Sequence, residues 1–565
     1  MDIDVLVVGA GPTGLMLANQ LARRGVRSTI IDRHSGPAQQ TRAMAVQART
    51  LEIYSKMGIV DDALRLGRRA SGANMWANGK WTARIPLGDI GKHLSPFPFA
   101  LALGQDDNER IMGAKLHDEG IDVQWNTELV GVQQQEDSAI ATIKQPDGST
   151  HTLGTRWVAG CDGARSKVRE SCGITFPGAP YEHVFFVADV EATGSMRPDE
   201  LNVYLWHDGF HLFFPMRGKD RWRLIGIIPQ SLRDRGDLKF GDLTPELQRE
   251  AGANLAFGEC SWFSMYRIYH RCAERFRDRR CFLLGDAAHI HSPAGGQGMN
   301  TGLQDAYNLG WKLALVVRGQ ADAALLDTYE KERLPVAQRL LQTTDRLFRL
   351  LVSDSWFAGI LRTRILARIA ARAMTVERVR MIAFRAISQI GIRYPQSPLS
   401  QKLGSIGGGA PQPGDRFPWV CLDIDGNGNV DDLFDALDDR GFNVLVFGQP
   451  APDSTIVAVG ERVSVLAIPE SPANRSAQSS IGIDGPAFYV VRPDGHVGLA
   501  GTRYDEAAVT RYLAEHHVRV GVPIEPHTGG AYRPDTLIRR IGAAVRHRNW
   551  WVRSDQLRGC CRDSL

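Results

Sequence analysis

The hydrophobic pattern changes character along this chain. The run Val5–Val8 is short and apolar, residues 15–25 form a helical pattern directly after it, and a second apolar run ends at Ile31. Between residues 184 and 229 apolar and polar positions alternate, and this period of two favours antiparallel strands covered on one side. Residues 335–400 favour helices with arginine on one face and leucine, isoleucine and phenylalanine on the other. The pattern therefore predicts a β–α–β unit, an inserted sheet and a helical region.

The turn between the first strand and the first helix, called here the first glycine turn, contains Gly9, Gly11, Pro12, Thr13 and Gly14. Gly9 permits a tight turn, Gly11 lets a pyrophosphate approach the backbone, and Gly14 lets the helix lie close to the strand. The helix N-terminus then offers free amides to the phosphates. The strand–turn–helix context raises this motif above a chance match. It predicts a dinucleotide site and leaves NAD and FAD open.

The second predicted strand is followed directly by a carboxylate residue. The segment STIID ends in Asp32, about eighteen residues after Gly14, where a carboxylate is expected on the ribose hydroxyls of the adenosine half. Arg33 follows it and is included among the expected cofactor contacts.

Two further segments resemble parts of a flavin site. The Asp-Gly segment, Gly160–Arg169, carries Asp162 and Gly163, and the Gly-Asp segment, Gly285–Gly302, carries Asp286 followed by a glycine-rich loop. With the first glycine turn, and in this order, they resemble the three motifs of the flavoprotein aromatic hydroxylases, the single-component FAD monooxygenases that act on phenols. Within that family the likeness is to the pentachlorophenol, dichlorophenol, hydroxyphenylpropionate and polyketide hydroxylases. A flexible turn without a ligand is the alternative for the glycine-rich loop, and Asp286 before it and the helix pattern after it count against that alternative.

The resemblance implies FAD as the cofactor and NADPH or NADH as the electron donor. In that family the carboxylate matching Asp286 accepts hydrogen bonds from the ribityl chain, and the residue matching Arg42 lies near the flavin and the pyrophosphate. The amides of Gly298–Asn300 could stabilise negative charge at the N1–C2=O edge of a reduced flavin. The cofactor contacts expected beyond the first glycine turn are Asp32, Arg33, Arg42, Gln105, Asp162, Gly163, Gly285, Asp286, Pro293, Gly296, Gly298, Met299 and Asn300.

The resemblance also implies an α/β fold, with a Rossmann-like FAD-binding domain, an inserted antiparallel β-sheet substrate domain, a helical segment and a C-terminal thioredoxin-like domain. The last domain lacks the C-x-x-C pair of a redox enzyme, so we expect a structural or oligomer-supporting role. The expected boundaries are 1–73, 99–175 and 270–340 for the FAD-binding domain, 74–98 and 176–269 for the substrate domain, 341–403 for the helical segment, 410–518 for the thioredoxin-like domain and 519–565 for a basic tail.

The helical segment and the tail leave alternatives open. Helices at 341–403 fit packing against the FAD-binding domain or against a second subunit of a homodimer, and a membrane-surface helix is the alternative. The tail contains many arginines and the pair Trp550-Trp551. A disordered extension is favoured there over a contact with nucleic acid or membrane.

Composition excludes several classes of protein. The formal net charge of +4 over 565 residues is nearly balanced, so no nucleic-acid partner is implied. The eight cysteines show no C-x-x-C spacing, and no metal site is expected. No apolar run approaches the roughly 20 residues of a membrane span. The opening residues carry acidic groups in place of a basic signal region, so we expect a cytoplasmic protein.

The expected reaction is hydroxylation of a phenolic or polycyclic aromatic substrate with O2 through a flavin C4a-hydroperoxide. A base near the phenol oxygen would help, because phenolates react faster than phenols. The alternatives are epoxidation or Baeyer–Villiger oxygenation of a polyketide at the same flavin site, and a flavin-binding sensor without turnover. The candidates for this catalytic base or proton relay, on the strands of the inserted sheet, are Tyr204, His207, His211 and Tyr266. Each could equally be a strand residue that packs against its neighbours.

Overall fold

The computed structural model describes residues 3–38, 43–206, 209–216, 218–233, 235–251, 255–291, 294–352, 367–450 and 463–519. Within these ranges the strands, numbered in chain order, are β1 (Ile3–Val8), β2 (Ser28–Ile31), β3 (Ala45–Val46), β4 (Arg68–Arg69), β5 (Gly72–Ala77), β6 (Lys80–Pro86), β7 (Leu101–Ala102), β8 (Glu128–Gln134), β9 (Ala139–Lys144), β10 (Thr150–Gly160), β11 (Gly178–Thr193), β12 (Leu201–Trp206), β13 (Gly209–Pro215), β14 (Arg221–Ile227), β15 (Ala256–Cys272), β16 (Arg277–Asp278), β17 (Cys281–Leu283), β18 (His289–Ile290), β19 (Gln401–Leu403), β20 (Cys421–Leu422), β21 (Asp431–Asp432), β22 (Phe442–Phe447), β23 (Val463–Ile468), β24 (Ala487–Val491) and β25 (Val497–Gly501).

The helices of the same ranges are α1 (Pro12–Ala22), α2 (Ala48–Met57), α3 (Val60–Leu66), α4 (Gln105–Asp118), α5 (Lys167–Ser171), α6 (Phe240–Ala251), α7 (Gly298–Val317), α8 (Asp327–Val352), α9 (Ala367–Ala373), α10 (Glu377–Ile387), α11 (Leu433–Ala436), α12 (Pro472–Ser480) and α13 (Glu506–Glu515).

The first sheet has the order β16-β17-β10-β1-β2, and β9 and β8 extend it from β10. The four strands β17, β10, β1 and β2 run parallel. Their last residues form one row, because Val8 pairs with both Gly160 and Ile31, and Gly160 pairs with Leu283. The first glycine turn, the Asp-Gly segment and the Gly-Asp segment therefore leave the same edge of the sheet, where open α/β sheets bind their ligands.

The second sheet is the predicted insertion and has the order β18-β15-β11-β14-β13-β12-β5-β6. Most of its pairs are antiparallel, whereas β12 and β5 run parallel. Its outermost strand β18 lies inside the Gly-Asp segment and pairs with the end of β15. The Gly-Asp segment therefore joins the two sheets.

The third sheet has the order β19-β25-β24-β22-β23, with β22 parallel to β23 and antiparallel to β24. The name C-terminal domain is used below for residues 401–519. The thioredoxin likeness of this domain stays a prediction. Apolar residues of β22 and β24 belong to the same core cluster as β1, β10 and α7, so this domain packs directly against the first sheet and its helices.

Three predicted boundaries fall inside continuous elements. The boundary at 73/74 lies within β5, that at 269/270 within β15, and that at 340/341 within α8. A domain boundary inside a strand or helix was not visible in the sequence because the apolar pattern continues across it. Most of the 519–565 tail and residues 353–366 lie outside the described residues. Among the helices that the structure describes, none has the length and apolar character needed to cross a membrane.

Candidate functional site

At Gly11, unlike at the two other glycines of the first glycine turn, no neighbouring protein atom prevents a larger side chain. Gly9 has φ +99°, and a Cβ on it would lie 2.4 Å from the carbonyl oxygen of Cys161. A Cβ on Gly14 would lie 1.9 Å from the carbonyl oxygen of Gly9. A Cβ on Gly11, by contrast, would meet nothing within 4 Å, and Gly11 is the N-cap of α1. The space at Gly11 is therefore open at a helix N-terminus, as a phosphate would require.

Asp32 stands at the end of β2 beside this turn. Its Oδ2 accepts a hydrogen bond from the Ala10 amide at 2.7 Å, and its Oδ1 accepts one from the His34 amide at 2.8 Å. Arg33 is exposed. The carboxylate is thus fixed at the sheet edge by backbone groups.

Gln105 begins α4 and donates a hydrogen bond to Glu109 Oε1 at 2.8 Å. The other oxygen of Glu109 accepts the Ala38 amide at 2.7 Å. Burial raises the pKa of Glu109 from its ordinary value. Gln105 therefore positions a second carboxylate, which was not singled out as a cofactor contact from the sequence.

The Gly-Asp segment packs against the first turn of α1. A Cβ on Gly285 would lie 2.6 Å from Thr13 Oγ1, and a Cβ on Gly302 would lie 2.4 Å from the same atom. Thr13 therefore fills the space between two glycines of the Gly-Asp segment. Asp286 follows Gly285 directly, and its side chain is exposed at the sheet edge. The structure thus brings Asp286 next to the first glycine turn, as expected.

The glycine-rich loop ends where α7 begins. Gly295 and Gly296 have φ +79° and +61°, and α7 starts at Gly298 with no side-chain cap. The first amides of an α-helix have no intrahelical acceptor, so Gly298–Asn300 present amide groups at this point. The sulfur of Met299 accepts a hydrogen bond from Asn108 at 3.2 Å.

Both polar atoms of the Asn300 side chain form all their hydrogen bonds within the protein. Its Oδ1 accepts from the Gln47 amide at 2.9 Å and the Thr50 hydroxyl at 2.8 Å, and its Nδ2 donates to the carbonyls of Ala45 and Gly296. Only the backbone amide of Asn300 is therefore left to serve a cofactor.

Asp162 has a local function that the sequence did not predict. Its Oδ2 accepts the amides of Lys167 at 2.6 Å and Val168 at 3.2 Å, so it caps α5. Burial raises the pKa of Asp162. The neighbouring Gly163 has φ +77° and open space around it. Asp162 therefore holds the turn through Oδ2, while its Oδ1 has no hydrogen-bond partner among the described residues. A cofactor contact of Asp162 and a close backbone approach at Gly163 both stay predictions.

Two residues that the sequence did not single out connect these segments. Arg169 donates a hydrogen bond to the carbonyl of Ala287 at 2.8 Å, which joins the Asp-Gly segment to the Gly-Asp segment. Asp305, on α7, accepts hydrogen bonds through Oδ2 from the Gly285 amide at 3.1 Å and from His289 Nε2 at 2.7 Å. A lone acid within a helix of otherwise apolar character was the only sequence signal for Asp305.

The second sheet separates the predicted substrate residues onto two faces. Tyr204 packs with Phe213 in a cluster that includes Phe240 and Leu243 of α6. Its ring stacks on Trp76 with centroids 5.3 Å apart. Burial raises the pKa of the Tyr204 hydroxyl, which has no hydrogen-bond partner among the described residues.

His211 lies two residues before Phe213 on β13, so the two side chains leave the same face of the sheet. His211 is 1% exposed. Its ring centroid lies 3.8 Å from that of Trp206, which belongs to a second apolar cluster with Phe185 and Phe210, and 6.0 Å from that of Phe186, which belongs to the cluster beneath α6. Burial lowers its pKa well below the ordinary value, so the ring is neutral. Tyr204 therefore packs beneath α6, and His211 lies between this cluster and Trp206; a contact of either residue with the substrate stays a prediction.

Tyr266 lies on the opposite face of the sheet. It packs with Phe185, Leu205 and Phe210 in a separate apolar cluster that contains no residue of α6. Burial raises the pKa of Tyr266 to about 12. His207, Arg42 and Pro293 lie outside the described residues. Tyr266 is thus the described candidate that lies on the face of the sheet away from α6. Among the described residues, no three or more His, Cys, Asp or Glu side chains are grouped so that they could hold a metal ion.

Comparisons with known proteins agree with this geometry. The profile of the family described as "FAD binding domain" matches residues 2–344. The 6-methylpretetramide 4-monooxygenase of Streptomyces rimosus is 32% identical over 532 residues, which cover 91% of this chain and 94% of that protein. Among solved structures, OxyS anhydrotetracycline hydroxylase from Streptomyces rimosus has a TM-score of 0.73 and 28% identity, covering 92% of this chain and 100% of its own. A ternary complex of aklavinone-11 hydroxylase with FAD and aklavinone has a TM-score of 0.76 and 25% identity, covering 92% and 99%.

Proposed function

We propose that this chain hydroxylates a multi-ring phenol of the polyketide type with NADPH or NADH as electron donor. The chain belongs to the FAD-binding-domain family and is an FAD-dependent monooxygenase. The polyketide class is favoured because three of the relatives that cover 91–92% of this chain are named for 6-methylpretetramide, anhydrotetracycline or aklavinone.

The observation that carries this proposal is the contact of Thr13 with both Gly285 and Gly302. It places the first glycine turn, which suits a pyrophosphate, beside Asp286 and the first amides of α7. FAD fits the groups present, since Gly11 leaves room for phosphate, Asp32 offers a carboxylate for the ribose, and α7 directs amides toward a flavin edge. FAD when bound supplies hydride acceptance and activation of O2.

The chain's own residues would bind and orient the substrate. Helix α6 fills one face of the second sheet, so we place the substrate against the other face, at the cluster of Tyr266, Phe185 and Phe210. This apolar lining would exclude water from the reacting ring. The raised pKa of Tyr266 keeps its hydroxyl protonated at neutral pH, so it can donate a hydrogen bond to a substrate oxygen.

The test measures flavin reduction without oxygen. The purified FAD-loaded chain is mixed anaerobically with NADPH or NADH, with and without each member of a panel of single-ring and multi-ring phenols. We expect multi-ring phenols to accelerate reduction, and ¹⁸O2 to place one labelled atom on a ring carbon of the product. Reduction that no phenol accelerates, or a label inserted into a ring ester, would overturn the proposal.

Two further properties stay predictions. A cytoplasmic location is checked by fractionation of the native cell, and a homodimer by light scattering of the purified chain.

A further inference from the structure

We propose that the C-terminal domain positions the Gly-Asp segment through two groups of buried ionic contacts that are joined at the adjacent residues Glu332 and Arg333, and that Arg492 and Asp494 are positioning residues of the flavin site. The inference rests on the proposed function in one respect, since it takes the Gly-Asp segment to bind FAD. It assigns a task to a domain that contributes no residue to the row of strand ends at the site.

The first group of contacts starts at Asp305, whose side chain is fully buried. Through Oδ2 this carboxylate fixes the Gly285 amide and His289, which are the two ends of the turn carrying Asp286. Through Oδ1 it accepts the Nε–H of Arg333 at 2.6 Å. Burial alone would raise the pKa of Asp305, but Arg333 and His289 hold it below its ordinary value. The geometry of the turn therefore depends on where Arg333 lies.

Arg333, on α8, joins three segments at once. Besides Asp305, it donates to the carbonyl of Thr301 at 3.1 Å, in the first turn of α7. It also donates to the Tyr394 hydroxyl at 2.9 Å. The ring of Tyr394 packs on His496 of the C-terminal domain, with centroids 4.4 Å apart. Arg333 thus connects both ends of the Gly-Asp segment to the C-terminal domain.

Glu332, the residue before Arg333, is bound by the C-terminal domain. Arg492 follows β24 and donates to both oxygens of Glu332, at 2.6 and 3.0 Å. Asp494 accepts the other side of Arg492 at 2.5 Å and the Trp311 Nε1–H at 3.2 Å. The turn between β24 and β25 therefore clamps α8 at Glu332 and α7 at Trp311.

The charges in the two groups of contacts balance only when both are complete. Three acids, Asp305, Glu332 and Asp494, face three bases, Lys312, Arg333 and Arg492, and the paired side chains are at most 2% exposed. Removing one member leaves a buried charge without its counter-ion, and the neighbouring helix must move to solvate it. Because Glu332 and Arg333 are adjacent, such a movement would displace Asp305 and the turn it fixes.

The experiment compares two contacts between the same domains. Arg492→Met removes the charge next to α8, and Arg492→Lys keeps the charge but not the paired hydrogen bonds. Asp439→Asn is the matched control, because Asp439 lies in the C-terminal domain and accepts Arg23 at 2.9 and 3.0 Å, at the end of α1 far from the first glycine turn. The asparagine oxygen can still accept the hydrogen bond that Tyr307 of α7 donates to Asp439 at 3.2 Å. For each apoprotein, FAD affinity is measured by quenching of flavin fluorescence, and unfolding by urea.

We expect Arg492→Met to weaken FAD binding about tenfold, Arg492→Lys to fall in between, and Asp439→Asn to stay within about twofold. The emission of bound flavin should change only in the Arg492 variants. Equal FAD affinities for Arg492→Met and Asp439→Asn would overturn the inference. If Arg492→Met does not fold, Tyr394→Phe removes only the hydroxyl that Arg333 contacts, and unchanged FAD affinity in that variant overturns it equally. Failure of the unaltered chain to bind FAD would instead overturn the proposed function.

Discussion

Replacing Gly11 with alanine separates the binding of FAD from the stability of the fold. Gly11 has φ −71° and ψ −177°, which alanine adopts without strain, and its Cβ would meet no protein atom within 4 Å. Alanine is a poorer N-cap than glycine, but it also reduces the conformational entropy of the unfolded chain. These two effects are each of order 0.5–1 kcal/mol and oppose one another. The free energy of unfolding of the apoprotein should therefore change by less than about 1 kcal/mol.

The same substitution should damage FAD binding severely. The new Cβ would occupy the space in which the pyrophosphate approaches the backbone, so the phosphate would lose hydrogen bonds from the start of α1. Two charge-assisted hydrogen bonds at about 1.5 kcal/mol each amount to about 3 kcal/mol. Since 1.4 kcal/mol corresponds to a factor of ten, FAD affinity should fall about 100-fold.

Two other glycines supply the controls. Gly113→Ala, within α4, also meets open space, so it should raise stability by about 0.8–1 kcal/mol and leave FAD affinity unchanged. Gly9→Ala should cost at least about 2 kcal/mol of stability, because φ is +99° and the Cβ would overlap the Cys161 carbonyl. Urea unfolding and fluorescence titration measure both quantities. A Gly11→Ala protein that binds FAD as tightly as the unaltered chain would refute this reasoning.

Four further substitutions test individual assignments. Tyr266→Phe should lower kcat about fivefold with FAD affinity unchanged, because it removes one hydrogen bond of about 1 kcal/mol to the substrate; equal steady-state kinetics would contradict that role. Tyr204→Phe is its matched control and should leave kcat unchanged, since Tyr204 packs beneath α6, and a fall in turnover would return Tyr204 to the site. Asp305→Asn should lower the free energy of unfolding by about 3–5 kcal/mol, because Arg333 stays buried without its counter-ion, and a loss below about 1 kcal/mol in urea would count against it. Burial raises the pKa of Asp432 to about 6, so between about pH 4 and pH 6 the folded state keeps a proton that the unfolded state releases. The free energy of unfolding should therefore fall by at most about 3 kcal/mol as pH rises from about 4 to 6. Asp432→Asn should abolish this contribution to the dependence of stability on pH.

The local rules of strand, turn and helix made the edge of the first sheet predictable. Gly9 and Gly14 have the roles that their spacing predicts, because a sharp turn and a close helix act over a few residues only. Asp32 and Asp286 follow strands that end in one row, and parallel strands bring their ends together. The order of the motifs along the chain was therefore sufficient to place them at one edge.

The faces of the second sheet were not predictable in the same way. The alternation within 201–206 and 209–215 was read correctly as strands, but the sequence did not show that Tyr204 packs beneath α6 or that Tyr266 lies on the opposite face. The face depends on pairing with distant strands, such as β12 with β5, and on irregularities such as the register shift between Asp189 and Val190. A shift of one residue exchanges the two faces.

The ionic contacts between the C-terminal domain and α8 also could not be predicted from the sequence. Glu332 and Arg492 are 160 residues apart, and no pattern in the sequence pairs them. Charged residues in helices are usually solvated, so only the packing of the C-terminal domain onto α8 shows that this pair is buried.

A crystal structure of the chain with FAD bound tests the central claim most directly. The account predicts the pyrophosphate at Gly11, the ribityl chain beside Asp286, and one edge of the flavin ring at the amides of Gly298–Asn300. Density for FAD at another edge of the first sheet, or a pyrophosphate remote from Gly11, would contradict it.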